Sequence, residues 1–293
     1  MNKYKKGFFN GGYSKNTADY NVTIVPISTY SAKYLKGTKK AYKKLVDSSL
    51  VYANMDGSCY PLKIYNPDYG YMLKKTKVNT YPIIKCFYKN LDKKLCKESE
   101  NLGNGLNIFV GSDHSVSYYI LKNLYKNQDI KVVQFDAHSD YIDEFKTYAH
   151  GSVMCETNKL SNIKKIYHVG LRGNLNSEPA TTQSKQNNNT IITKQSLHLQ
   201  NYQLDIKNEN LYLSIDVDFF DSSIISSTGC IEPDGVLFND ALKLFASIIK
   251  NNNIVGIDIV EYDCKKANSS HDASYIVNLI IYLMNLMENK NEK

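Results

Sequence analysis

Short runs of β-branched and aromatic residues alternate with helix-spaced stripes through most of the chain. Lys131–Phe135 (KVVQF), Leu211–Ile215 (LYLSI), Asn107–Val110 (NIFV) and Ile254–Ile259 (IVGIDI) are apolar runs bounded by polar sequence. That is the pattern of strands buried on both faces of a parallel sheet. Asn21–Ile27 (NVTIVPI) predicts a first strand, and Ile163–Val169 and Thr190–Thr193 predict two more. Between them, Val116, Tyr119, Ile120 and Leu124 follow helical spacing. Leu242, Phe245, Ile248 and Ile249 form a second stripe, on a helix that Asn239 or Asp240 would cap and Asn251–Asn253 would stop. Ala273, Ile276, Val277, Ile280, Ile281, Met284 and Met287 form a third, on a C-terminal helix. Such stripes face a core. Repeated strand–helix units predict an α/β fold, a parallel sheet with helices on both faces.

The remaining segments are less regular. Residues 1–20 are polar and read as a loosely ordered N-terminal segment ahead of one domain, 21–293, with no internal repeat. Lys39–Val46 predicts a helix with its basic face in water. Residues 56–80, with Gly57, Pro61, Pro67 and Gly70, read as mostly loop with a short strand at Leu62–Tyr65, and Tyr81–Cys96 reads as helical. Gly173–Asn189 is polar and without periodicity. It follows a strand end, which predicts a loop at the mouth of an active site, functional or disordered.

Composition narrows the class. The 293 residues are 42% hydrophobic and 22% charged, which suits one large α/β domain or two small ones and is far from disorder. The net charge of +7 comes from scattered lysines. No basic run is interleaved with aromatics, so nucleic acid is not expected as a partner. The six cysteines, at 59, 86, 96, 155, 230 and 264, show no CxxC pair. They predict free thiols in a reducing cytosol, with Cys230 and Cys264 as ordinary buried thiols. The N-terminal MNKYKKGFFNGG lacks the apolar region of a secretory signal, and the longest apolar stretch, Tyr275–Met287, is too short to span a bilayer. A soluble cytoplasmic protein is expected.

The chemistry gathers where the strands end. Val132–Asp140 (VVQFDAHSD) places Asp136, His138 and Asp140 two residues apart, on one face if the chain stays extended. Taken alone, these could be turn residues closing a strand. The arrangement recurs, however: LYLSI runs into Asp216 and Asp218, NIFV into Gly111, Ser112, Asp113 and His114, and IVGIDI into Val260 and Glu261. Pooled, His114, Asp136, His138, Asp140, Asp216 and Asp218 are too many ligands for one zinc. They fit two hard divalent cations, and oxygen-rich ligation favours manganese. Two metals roughly 3.5–4 Å apart acidify a shared water, which implies hydrolysis. Two dications balance four aspartates, and a hydroxide with Glu261 would leave the pocket net negative. Such a pocket favours a cationic substrate, and Glu261 suits a planar guanidinium.

GSDHS at 111–115, DAHSD at 136–140, His150-Gly151, SIDVDFFD at 214–221 and DIVEYD at 258–263 resemble the ureohydrolase family of arginases and agmatinases over roughly 105–285. The resemblance implies a three-layer α/β/α fold with a mostly parallel central sheet, two Mn²⁺ per chain, urea release from a small guanidino compound, and assembly as a homo-oligomer, a trimer or hexamer. It implies one metal on His114, Asp136, Asp140 and Asp216, the other on Asp136, His138, Asp216 and Asp218. Asp140 would also orient the hydroxide, Glu261 would bind the guanidinium, and His150 would pass a proton to the leaving amine.

Within that family the chain is more like an agmatinase. The Asp140–His150 segment is short, the HVGLRG stretch at 168–173 is agmatinase-like, and Ile142 stands where arginases carry an Asn that reads the substrate carboxylate. The chain departs from the family at Ser112, Ser222 and Ser227, and at Tyr262, Asp263 and Cys264. None of these is a metal ligand or acid–base group, but they shape the pocket. Agmatine is the expected substrate, with free or peptidyl arginine or guanidinobutyrate as alternatives. A deacetylase of related fold is disfavoured because no His-His pair occurs. A catalytically dead metal-binding member is disfavoured by the intact ligand set.

Overall fold

The structure is a computed structural model that describes residues 6–29, 37–54, 62–102, 105–143 and 150–290. Its strands are β1 (Val22–Thr29), β2 (Ile64–Asn66), β3 (Gly70–Met72), β4 (Val78–Thr80), β5 (Ile84–Cys86), β6 (Leu106–Val110), β7 (Ile130–Phe135), β8 (Ile163–Leu171), β9 (Thr190–Thr193), β10 (Asn210–Asp216) and β11 (Asn253–Val260). The helices are α1 (Ala41–Ser49), α2 (Leu91–Glu98), α3 (Val116–Leu124), α4 (Val153–Asn158), α5 (Glu178–Gln186), α6 (Lys194–Leu199), α7 (Phe238–Asn251) and α8 (Ser269–Lys290). All seven strands expected from apolar runs are present.

The central sheet has nine strands in the order β4-β1-β6-β11-β10-β7-β8-β9, with β5 also pairing β1. Every pair in it is parallel, and among the described residues only the separate β2–β3 hairpin is antiparallel. Two apolar layers flank the sheet. One packs Leu45 of α1, Leu197 of α6, Phe245 and Ile248 of α7 and Ile276 and Ile280 of α8 against Ile108, Leu213 and Ile257. The other packs Leu91 and Leu95 of α2, Ile120 of α3, Met154 of α4 and Ala180 of α5 against Phe109, Val132 and Tyr212. Alternate residues of one strand thus serve opposite layers, and burial on both sides explains why these strands are continuously apolar.

Five local expectations need correction. Tyr81–Cys96 is helical only in its second half: Ile84–Cys86 pairs with β1 before α2 begins at Leu91. Gly173–Asn189 is not a loop throughout, because Ser177 accepts the Ala180 N–H, Pro179 lies in the first turn, and α5 follows. Its apolar stripe is minimal, so a cap starts the helix where periodicity gives no signal. Neither Asn239 nor Asp240 caps α7. Leu237 occupies that position without a side-chain bond, and Asp240 lies in the first turn, where its charge suits the helix dipole. Near the N-terminus, polar composition conceals two core side chains. Phe8 and Phe9 are buried, their amides bonded to Thr80 Oγ1 and Ser49 Oγ. The short strand expected at Leu62–Tyr65 is displaced to Ile64–Asn66, and residues 55–61 of that region lie outside the described residues.

Candidate functional site

The strands whose ends carry the acidic and His motifs, β6, β11, β10 and β7, are consecutive in the sheet. Parallel pairing then delivers His114, Glu261, Asp216, Asp218 and Asp136 side by side at the carboxyl edge, where open α/β sheets bind ligands. The DAHSD segment does not continue as strand. β7 ends at Phe135, the chain bends, and Asp140 takes a left-handed φ of 47°.

Convergence comes instead from carboxylates that fold their own loops. Asp136 Oδ1 accepts the His138 N–H at 2.7 Å and Asp216 Oδ1 accepts the Asp218 N–H at 2.9 Å. Asp218 Oδ1 accepts the Ala137 N–H at 3.0 Å, tying one motif to the other. In all three, Oδ2 is turned into the cluster. His114 Nδ1 lies 3.1 Å from Asp136 Oδ2, 2.9 Å from Asp140 Oδ2 and 3.5 Å from Asp216 Oδ2. His138 Nδ1 lies 3.0 Å from Asp218 Oδ2 and 3.6 Å from Asp136 Oδ1.

Two groups able to hold a metal result: His114, Asp136 and Asp216, and Asp136, His138 and Asp218. Asp136 belongs to both. Although His114 Nδ1 is buried among carboxylate oxygens, it makes no hydrogen bond to any of them. An orphaned lone pair facing carboxylate oxygens is the donor set a cation needs. His114 is held in the matching tautomer from behind. Ser214 donates to Asp258 Oδ1 at 2.8 Å, so its oxygen accepts from His114 Nε2–H at 2.9 Å and leaves Nδ1 free.

The electrostatics point the same way. Burial, then repulsion from neighbouring aspartates, raises the carboxyls of Asp140 and Asp216, and pushes Asp218 to about 6. Burial alone would lower both imidazoles, but their aspartate neighbours outweigh it and raise His114 well above its usual range and His138 to about 12. The cluster therefore holds more negative charge than it can carry without a cation.

Glu261, at φ 66° just beyond β11, is buried and accepts the His114 N–H at 2.7 Å, while its own N–H donates to Ser112 O at 3.0 Å. Burial and the charges of Asp216 and Asp113 hold its carboxyl well above the usual range. Ser112, at φ 72°, occupies a left-handed position that suits the glycine expected there, and its hydroxyl pairs with Thr29 Oγ1. His150 is half-exposed, with Nδ1 3.7 Å from Glu261 Oε1. All eight residues named from the sequence therefore surround one place.

A cavity of about 250 Å³ opens on them, lined by Asp140, His150, Asp216, Asp218 and Glu261, with Ile142, Leu175 and Asn176 toward its wall. Asn176 is committed to backbone, donating to Ala137 O and Arg172 O and accepting the Ser139 N–H. Cys230 lines the same cavity and is exposed, which corrects its reading as a buried thiol, while Cys264 is half-buried.

Sequence reasoning missed the supports. Arg172 donates to five carbonyls, those of Asp218 (2.6 Å), Pro233 (3.0 Å), Glu232 (3.1 Å), Phe219 and Phe220 (both 3.4 Å). It clamps the Asp218 loop to the 232–233 loop. Glu232 is buried, accepts the Leu175 N–H at 3.3 Å and lies 3.8 Å from His138 Nε2. Gly173, at φ 71°, permits this, since a Cβ there would stand 1.9 Å from Glu232 Oε2. Gln134 and Asp258 had a signal, a polar residue inside an apolar strand run, where burial demands a partner.

A parallel α/β sheet with paired carboxylate–imidazole groups at its carboxyl edge defines an α/β protein with a candidate metal centre. The Arginase family model matches residues 18–285, and the chain belongs to that family. It is 27% identical over 163 residues to the mitochondrial arginase of Medicago truncatula, covering 53% of this chain and 48% of that one. It is 31% identical over 171 residues to the agmatinase of Blochmanniella floridana, covering 54% of each. Its alignments span about half the length of these curated relatives. The fold matches proclavaminate amidino hydrolase from Streptomyces clavuligerus with a TM-score of 0.83 at 16% identity, over 97% of both chains.

Proposed function

We propose that the protein hydrolyses agmatine to putrescine and urea at a two-Mn²⁺ centre. One observation carries the substrate assignment. Among the described residues, the cavity lining has four acidic groups, Asp140, Asp216, Asp218 and Glu261, and no Lys or Arg. Arg172 is spent on backbone carbonyls, Lys185 is exposed on α5, and Ile142 offers no donor. A substrate carboxylate would be desolvated beside like charges, whereas a second ammonium would not.

His114, Asp136, Asp140 and Asp216 would hold one metal and Asp136, His138, Asp216 and Asp218 the other, with Asp136 and Asp216 serving both. When bound, the pair supplies Lewis acidity and an acidified water at neutral pH. Glu261 anchors the guanidinium through paired charge-assisted hydrogen bonds, and its bond to the His114 amide fixes its direction. Asp140 accepts a hydrogen bond from the attacking water and orients it. His150 carries a proton to the departing amine, and its partial exposure lets it exchange that proton with solvent. The same reading makes residues 21–293 one catalytic domain that works in the cytoplasm as a trimer or hexamer.

The test is a panel assay of the Mn²⁺-loaded protein with agmatine, L-arginine and guanidinobutyrate. Agmatine should give the highest kcat/KM. A clear preference for arginine, or for a peptide containing it, would overturn the substrate assignment.

A further inference from the structure

Behind Asp136 lies a line of buried polar side chains that no step above uses. Gln134, within β7, donates from Nε2 to Asp136 Oδ2 at 2.7 Å and to His138 O at 3.2 Å. Its other amide atom, Oε1, meets His168 Nδ1 at 2.5 Å, across the β7–β8 pair in which Gln134 and His168 are register partners. His168 Nε2 meets Ser184 Oγ, on α5, at 2.8 Å. Ser184 Oγ accepts from Asn189 Nδ2 at 3.2 Å. Gln134, His168 and Ser184 are fully buried, and Asn189 nearly so.

The protons in this line have only one arrangement. A carboxylate only accepts, so Gln134 presents its amino group to Asp136 and its carbonyl to His168. A carbonyl only accepts too, so His168 Nδ1 carries the proton. Nε2 of the neutral ring must then accept, and the Ser184 hydroxyl donates to it. Every donor from Asn189 to Gln134 therefore points toward Asp136.

We propose that His168 is a positioning residue for the metal centre. Through Gln134 it fixes the rotation of the Asp136 carboxylate, which belongs to both donor groups of the cluster. This rests on the reading that Asp136 holds metal. A ring locked as donor at Nδ1 prevents the Gln134 amide from turning over, and a flipped amide would set a carbonyl against the carboxylate. Outer partners of this kind tune metal affinity without touching the metal. The device also accounts for α5, whose polar sequence gives little reason to pack here except to deliver Ser184.

Two measurements test it. In metal-free wild-type protein labelled with ¹⁵N-histidine, His168 should give the Nδ1–H tautomer at neutral pH. An Nε2–H tautomer would overturn the chain. Mn²⁺ titration of the metal-free protein should show His168→Phe binding about 10–100-fold more weakly than wild type. His168→Asn, with an amide nitrogen near the place of Nδ1, should recover most of that loss. A folded His168→Phe protein with wild-type Mn²⁺ affinity would overturn the positioning role while leaving the two-metal reading intact. Wild-type protein that takes up no Mn²⁺ would overturn the metal reading, and with it the purpose assigned here to His168.

Discussion

Nδ1 of His150 stands 3.7 Å from Oε1 of Glu261, placing the candidate proton carrier beside the candidate guanidinium anchor. The two should fail differently. His150→Ala should lower kcat by about 10²–10⁴-fold with Mn²⁺ content unchanged, the usual contribution of an acid–base group. Glu261→Gln keeps an oxygen for the His114 amide but loses the charge, so it should raise KM, with kcat/KM down roughly 10–100-fold, the worth of one charge-assisted hydrogen bond. Steady-state kinetics on both variants check this, and wild-type kcat/KM in both would refute the roles.

The ligand geometry predicts an unequal response to metal-site substitutions. His138 and Asp218 belong to one group of donors and Asp136 to both. His138→Ala or Asp218→Asn should leave about one Mn²⁺ per chain, whereas Asp136→Asn should weaken both. Elemental analysis after dialysis checks the stoichiometry. Chelation should abolish activity and Mn²⁺ should restore it. A single tightly bound zinc in an active enzyme would contradict the assignment.

Arg172 should matter for both stability and metal. Lys cannot reproduce a planar fork that serves five carbonyls. Arg172→Lys should cost on the order of 3 kcal/mol, comparable to losing charge-assisted hydrogen bonds in a buried setting. It should also loosen the loop that holds Asp218. Denaturant unfolding and Mn²⁺ titration would show the two effects together.

How much of this was legible in the sequence depended on whether a residue's partners are local. Seven strands of the sheet show as apolar runs because burial on both faces favours apolar residues, whereas β4 and β5 are too short, at three residues each, to give that signal. The site residues show because strand ends deliver them directly. Arg172, Glu232 and His168 act through partners far along the chain, on Pro233, Leu175 and Gln134, and no spacing rule encodes such pairs. α5 was hidden for another reason. Its start depends on Ser177 and Pro179, while its interior resembles a loop in composition.

His168 also predicts a pH dependence. Burial holds its imidazole down at about 4 from an ordinary 6.5, with the charge of Asp136 only partly opposing. The folded form therefore resists protonation that the unfolded chain accepts. Its contribution to stability is complete above pH 6.5 and is lost as pH falls toward 4, about 3 kcal/mol in all. Relative to His168→Asn, the metal-free wild type should lose that much more stability between those limits. Parallel unfolding curves across the range would refute it.

The central claim is that this chain releases urea from a guanidino compound at a manganese centre. Coupled detection of urea and of putrescine from agmatine, with purified Mn²⁺-loaded protein and with the chelated protein as control, tests it most directly. Both products should form in equal amounts, only with metal, and with a higher kcat/KM than urea release from L-arginine. No urea from any guanidino compound, with Mn²⁺ demonstrably bound, would contradict it.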